Sequence, residues 1–274
     1  MDRGRGGTCF NPQAAGKGWF TGLLELIFPE RCLFCRNLLS RGTDPVAGGR
    51  PLCAACAKLY NPGGRICPYC GGFSRGEPPC DCLQGSLLQA SPEKPLRGLF
   101  TVSLYDQNWR RLIHDLKYRK RSAAARPLGN WLAGEIKREA FCRPEAVVPL
   151  PLHRQRELER GYNQSALLAA HTAETLHLPY LELLIKNKPT ASQVALSRRQ
   201  RQENVRGSFK VNTKIEPGIT VLLIDDVYST GSTMKEAASV LHASGAKVYG
   251  AVISYNPGAG LIKKPGFYDN LERW

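Results

Sequence analysis

The sequence predicts an α/β protein, a mainly parallel sheet flanked by helices behind a small cysteine-rich module. Three observations predict it. From about Leu99 onward, strand-like apolar runs alternate with helical patterns. Thr220–Ile224 reads as an unbroken apolar strand, as expected where both faces of a parallel sheet are covered. Residues 30–90 hold eight of the ten cysteines and little that could build a core, so this segment needs a staple to fold.

Each element follows from its own pattern. Residues 1–18 are Gly-rich without apolar period and read as a disordered lead-in. Trp19, Phe20, Leu23, Leu24, Ile27 and Phe28 mark one face of a short helix that Pro29 stops. With the cysteine-rich stretch it forms a module over 19–90, followed by an α/β domain over 95–256 and a tail over 257–274. In the α/β domain Leu99–Tyr105 reads as a strand, Trp109–Tyr118 as a short helix and Leu128–Phe141 as a longer one. Ala146–Leu150 is a buried strand before a Pro-bounded turn, and Gln164–Leu176 is helical. Thr233–Ala243 is the helix after the Thr220 strand, and Val248–Ser254 the next strand.

Composition narrows the function classes. At 42% hydrophobic residues the 274-residue chain is not disordered, and 38 Lys+Arg against 23 Asp+Glu gives a net charge of +15. No apolar run approaches the roughly 20 residues of a membrane span. Trp19–Phe28 is short, broken by Glu25, and lacks the flanks of a signal peptide, so a cytoplasmic location is expected. In a reducing compartment ten cysteines point to metal before disulfides, and the positive excess points to a polyanionic partner or to solubility alone.

The cysteines come in pairs: Cys32 and Cys35, Cys53 and Cys56, Cys67 and Cys70, Cys80 and Cys82. Two cysteines separated by two residues turn both sulfurs toward one point, where Zn²⁺ takes four thiolates tetrahedrally. Linkers of 17 residues between the first two pairs and 9 between the last two suit a double zinc ribbon with two structural ions. Sequential and interleaved pairing of the knuckles both satisfy the spacing. Gly71 after Cys70 tolerates the positive φ a knuckle requires. Cys80-Asp-Cys82 is one residue short, so the second site is the weaker. Cys9 and Cys142 stand alone and read as unliganded thiols.

Val221–Thr233 carries the most chemistry. A buried strand ends in Asp225 and Asp226, then comes a loop of small hydroxyl residues, Ser229, Thr230, Gly231, Ser232 and Thr233, and then a helix. Backbone N–H groups, hydroxyls and the helix N-terminus suit a phosphate, and the carboxylates accept from vicinal hydroxyls. A phosphate with a diol beside it is a ribose 5-phosphate.

This stretch resembles the phosphoribosyl pyrophosphate (PRPP) signature of type I phosphoribosyltransferases. With the cysteine pairs, Leu116-Lys-Tyr118, Val148–His153, Arg160-Gly-Tyr-Asn-Gln164, Gln193–Ser197 and Asn204–Gly207, the chain resembles the ComF (competence protein F, GntX-like) family over about residues 20–255. The resemblance implies the type I phosphoribosyltransferase fold. It implies that Asp225 and Asp226 hold the ribose hydroxyls and Ser229–Thr233 the 5-phosphate. The loop Leu150, Pro151, Leu152, His153 and Arg154 would face pyrophosphate, with His153 or Arg154 near its charge. Lys188–Gly207, including Gln193, Ser197, Arg201 and Asn204, would be a flexible loop closing over the site. Mg²⁺ would bridge pyrophosphate and ribose hydroxyls. Purine-salvage relatives carry an Asp where this chain has Ser229, which is no base at neutral pH and argues against 6-oxopurine salvage.

The resemblance further implies a part in natural transformation: handling single-stranded DNA beside the competence DNA-uptake machinery. Arg110–Arg126 carries seven cations against Asp115. Lys117, Tyr118, Arg119, Lys120 and Arg121, with Arg160, are the candidate nucleic-acid contacts, set against a merely solvated face. The four Arg of Arg198–Arg206 suit the PRPP lid or DNA. Three readings follow: a PRPP-binding DNA-handling factor, an active phosphoribosyltransferase with an unidentified acceptor, and a PRPP-sensing regulator.

Overall fold

The structure, a computed structural model, describes residues 31–39, 51–60, 62–74, 94–118, 121–138, 143–188 and 198–257. The expected lead-in, the Trp19–Phe28 helix, Cys9, Cys80, Cys82, Cys142 and the tail from residue 258 lie outside them.

Six strands form one sheet. They are β1 (Pro62–Ile66), β2 (Phe73–Ser74), β3 (Leu96–Leu104), β4 (Ala146–Pro149), β7 (Thr220–Tyr228) and β8 (Lys247–Tyr255), in the order β2-β1-β3-β8-β7-β4. The four strands β3, β8, β7 and β4 are parallel. β1 and β2, from the cysteine-rich segment, add antiparallel to the β3 edge. The sheet thus runs through the expected boundary near residue 90, and the module's hairpin covers an edge that would otherwise stay unpaired.

Side chains alternate across the sheet. Leu222 and Ile224 of β7 enter one core with α2 (Gln107–Tyr118), α3 (Ala125–Lys137) and α5 (Gln164–Leu176). Val221 and Leu223 enter the other, with α7 (Ser232–Ala243) and the small antiparallel pair β5 (Leu184–Lys186) and β6 (Phe209–Val211). Cys32, Leu33, Leu52, Cys56 and Tyr60 belong to the first core, packed beside Trp109 and Trp131. Helix α1 (Ala54–Lys58) carries Cys56 into it.

Helix α5 has the bounds its sequence predicts. β7 runs on to Tyr228 because β8 keeps pace to Tyr255, pairing Asp225 with Val252 and Val227 with Ser254. Asp225 and Asp226 therefore sit within the strand, not after it. Helix α4 (Arg154–Arg160) buries no residue and so shows no apolar period to read. Part of the expected flexible loop is also regular: Arg198–Val205 is a helix, α6, with Val205 buried. Among the described residues, no helix is long and apolar enough to cross a membrane.

Candidate phosphoribosyl site and cysteine module

The β7–α7 junction opens onto a cavity of about 480 Å³ lined by Asp225, Asp226 and the whole loop Ser229–Thr233. The carboxyl ends of parallel strands are where α/β sheets leave such a crevice. Gly231 has φ +75°, and a Cβ there would lie 2.1 Å from the Tyr228 hydroxyl oxygen. Only glycine lets this loop fold down on the Tyr228 ring. Thr230 and Ser232 share a hydrogen bond between hydroxyls at 2.7 Å. Helix α7 starts at Ser232, so its N-terminus, with its positive dipole end, borders the same cavity.

The two carboxylates have different partners. Asp225 Oδ1 accepts from Ser165 Oγ at 2.8 Å and from the Asp226 backbone N–H at 2.9 Å. Burial pushes its carboxyl up and Asp226 adds to this. Lys117 and the two donors oppose them, and the result is about 7. Asp226, 3% exposed, pairs with Lys117 Nζ at 2.7 Å. Burial pulls the Lys117 ammonium down, but Asp226, and Asp225 behind it, outweigh that and hold it above the usual lysine range. Lys186, on β5, also lines the cavity and is lowered by burial.

The Arg160–Gln164 segment ties the site together. Asn163 caps α5 by accepting from Ser165 N, and its Nδ2 donates to the Leu150 carbonyl at 3.0 Å. It thereby positions both the Leu150 loop and Ser165, the partner of Asp225. Tyr162 Oη donates to the Leu116 carbonyl, one residue from Lys117. Arg160 donates to Gln164 Oε1 at 2.9 Å and lies over the Tyr118 ring at 5.1 Å.

Of the expected pyrophosphate loop, Leu150, Pro151 and Leu152 line the cavity, while His153 and Arg154 do not. His153 Nδ1 instead caps α4 by accepting from Gln155 N, and Arg154 is exposed. The arginines on the cavity wall are Arg110, Arg156 and Arg160. Among the lid residues, Asn204 lies on α6, Arg201 is placed there by backbone alone, and Gln193 and Ser197 lie outside the described residues. Of the candidate DNA contacts, Lys117 turns inward to Asp226 and Arg121 pairs with Asp115. Arg119 and Lys120 lie outside the described residues. Tyr118 is exposed, with His114 beside it at 4.9 Å between ring centroids. Arg110, His114 and Tyr118 recur every four residues on one face of α2 and reach the cavity rim.

Sequence reasoning missed Ser165, Asn163, Arg156 and Lys186 as site residues. Asn163 and Ser165 carried a signal, an Asn before a helical run, that reads only as a cap.

Cys32, Cys35, Cys53 and Cys56 bring their sulfurs within 4.8 Å of one another, which fits a four-thiolate zinc site and pairs the first knuckle with the second. Desolvation raises the Cys32 thiol, but N–H groups of Cys53, Cys35 and Phe34 outweigh it and hold the thiol near 7. Such N–H donors are what thiolate ligands use. The first and third knuckles share a turn. Cys32 N donates to Asn37 O and Arg36 N to Cys32 O; Cys67 N donates to Gly72 O and Gly71 N to Cys67 O. Arg36 and Gly71 both have positive φ, 65° and 73°. Cys67 and Cys70 thus sit in the same turn geometry as Cys32 and Cys35. Arg36 also pairs with Asp115 on α2, a contact between the module and the domain.

Residues 163–271 match the family described as phosphoribosyl transferase domain. The chain is 32% identical to the DNA utilization protein YhgH of Escherichia coli K12 over 227 residues, 81% of this chain and 94% of that protein. It is 30% identical to competence protein F of Haemophilus influenzae over 225 residues, 80% and 93% of the two chains. Among solved structures, the glutamine PRPP amidotransferase of B. subtilis aligns with 51% of this chain and 30% of its own, at 22% identity and a TM-score of 0.35. Fold and site together define a type I phosphoribosyltransferase domain carrying an N-terminal cysteine module. The chain belongs to the ComF (competence protein F) family.

Proposed function

We propose that the protein binds PRPP with Mg²⁺ and handles single-stranded DNA in the cytoplasm during natural transformation, beside the DNA-uptake machinery. One observation carries this reading: a single cavity joins the Ser229–Thr233 cradle and the Asp225–Asp226 pair to the strip Arg110, His114, Tyr118 and Arg160. The cradle suits a 5-phosphate, the acid pair a ribose diol, and the strip suits DNA phosphates and a stacked base. The names of the E. coli and H. influenzae relatives, a DNA utilization protein and a competence protein, support the DNA half. The carboxylates offer the hard oxygens Mg²⁺ prefers, and the ion bound with PRPP would shield its pyrophosphate. Structural zinc at Cys32, Cys35, Cys53 and Cys56, and a second ion at Cys67, Cys70, Cys80 and Cys82, would hold the module rigid.

A second reading is an active phosphoribosyltransferase with an unidentified acceptor. The match of residues 163–271 to the phosphoribosyl transferase domain favours it. Incubation with Mg²⁺, PRPP and single-stranded DNA or free bases separates the two. Saturable binding of PRPP and DNA without pyrophosphate release supports the DNA-handling factor. Acceptor-dependent release that Asp225→Asn and Asp226→Asn abolish supports the enzyme. Binding of neither ligand sinks both.

A further inference from the structure

The acid pair already holds a cation. Asp226 is almost fully buried, and Lys117 Nζ stands 2.7 Å from its Oδ2. Asp225, behind it, attracts the same ammonium. Lys117 reaches the pair from the last turn of α2, with its side chain only 23% exposed. A lysine at a helix end normally extends its ammonium into water, and burying it is costly unless a charge meets it. Here the charge is the second carboxylate of the expected ribose-diol subsite, and Lys117 itself lines the cavity.

A ligand with a diol at this pair and an anionic group beside it meets two carboxylates first. Their repulsion of that anion must be cancelled by a cation at the diol. A divalent ion arriving with the ligand is one source. Lys117 is another, built into the protein: Tyr162 holds the carbonyl of Leu116 next to it, and Ser165 holds Asp225 on the other side of the acid pair.

We propose that Lys117 is the resident counter-ion of the ribose-diol subsite, supplying part of the positive charge that Mg²⁺ would otherwise bring, and so setting how strongly ligand binding depends on Mg²⁺. This rests on the PRPP reading above. It makes Lys117 a binding residue rather than a nucleic-acid contact of the outer face.

The test is calorimetric titration of the full chain with PRPP, once with Mg²⁺ and once with EDTA. It compares wild type, Lys117→Met, which keeps the aliphatic stem, and Lys117→Gln, which keeps a hydrogen-bond donor for Asp226. Thermal unfolding checks that each variant is folded, and either folded variant suffices. The quantity read is the affinity ratio between the two conditions, which a general loosening of the fold would not move. The expected result is a ratio at least about tenfold larger in the variants, with most of the loss in EDTA. An unchanged ratio in a folded variant overturns the counter-ion role and leaves PRPP binding standing. No binding by wild type in either condition overturns the PRPP reading itself.

Discussion

Tyr228 donates a hydrogen bond to the carbonyl of Pro68 at 3.1 Å. Tyr228 is the last residue of β7 and the floor on which Gly231 of the phosphate loop rests. Pro68 lies inside the Cys67–Cys70 knuckle. Two further tyrosines repeat the link. Tyr69 Oη donates to Leu96 O and accepts from Leu96 N, and Tyr255 Oη donates to Gly71 O. The cysteine module is thus bolted to the back of the phosphate loop by side chains and to the sheet edge by backbone.

Tyr228→Phe leaves the buried Pro68 carbonyl without its donor while keeping the ring under Gly231. It should cost about 1–3 kcal/mol of stability. Urea unfolding monitored by circular dichroism measures this. A change below a few tenths would mean that water or another donor replaces the hydroxyl.

Asp225 gives a pH signature. Burial and the neighbouring Asp226 push its carboxyl up to about 7 in the folded chain, from an ordinary value of 3.8. The folded state therefore holds a proton that the unfolded state has released, and stability falls as pH rises through that window. Asp225→Asn keeps acceptors for Ser165 and the Asp226 N–H but cannot ionise. Its melting temperature should exceed wild type at about pH 8 and match it at about pH 3, while ligand affinity is lost. Equal melting curves at about pH 8 would contradict the placement of Asp225.

Metal removal should reach the aromatic core. Phe34 lies edge-on to Trp109 at 5.1 Å, and Trp109 stands 5.6 Å from Trp131. Chelation of an ion held by Cys32, Cys35, Cys53 and Cys56 should shift tryptophan emission and lower the melting temperature by several degrees. Zinc should restore both. Cys56→Ala should lower the metal content by one ion per chain, and an unchanged content would exclude this cluster as a site.

The DNA strip should show in salt dependence. Neutralising the cavity-wall arginines Arg110, Arg156 and Arg160 together should reduce the slope of log affinity against log salt by about 0.7 for each phosphate that the variant no longer neutralises. Electrophoretic shifts over a salt series read the slope. Tyr118→Ala should weaken binding with the slope intact, because stacking is not a counter-ion effect. An unchanged slope in the triple variant would place the DNA elsewhere.

Much of this was legible in the residues. The alternation of apolar runs specified the parallel strands. The cysteine spacing pointed to four-thiolate sites but left the pairing of knuckles open, and the fold brings the first two together. Asp225–Thr233 could be read as one ligand-binding unit because consecutive residues carry it. Lys117 and Ser165 could not, since each meets the acid pair across a long stretch of chain and looks locally like a surface cation and a helix-start serine. The same holds for Arg36, which reaches Asp115 from the distant knuckle and shares it with Arg121. A charge run shows that cations are near one another in the chain. It does not show which of them the fold turns inward.

Whether the β7–α7 junction holds a phosphoribosyl group is read from calorimetric titration with PRPP and Mg²⁺ of wild type and two variants. Gly231→Ala places a methyl where Tyr228 already lies and forces the loop off its φ of +75°. Asp226→Asn removes the buried charge at the other end of the site. Wild type should bind saturably, one to one, and each variant at least about tenfold more weakly with the fold retained. Undiminished binding in both variants, or none in wild type, would contradict a phosphoribosyl site at this junction.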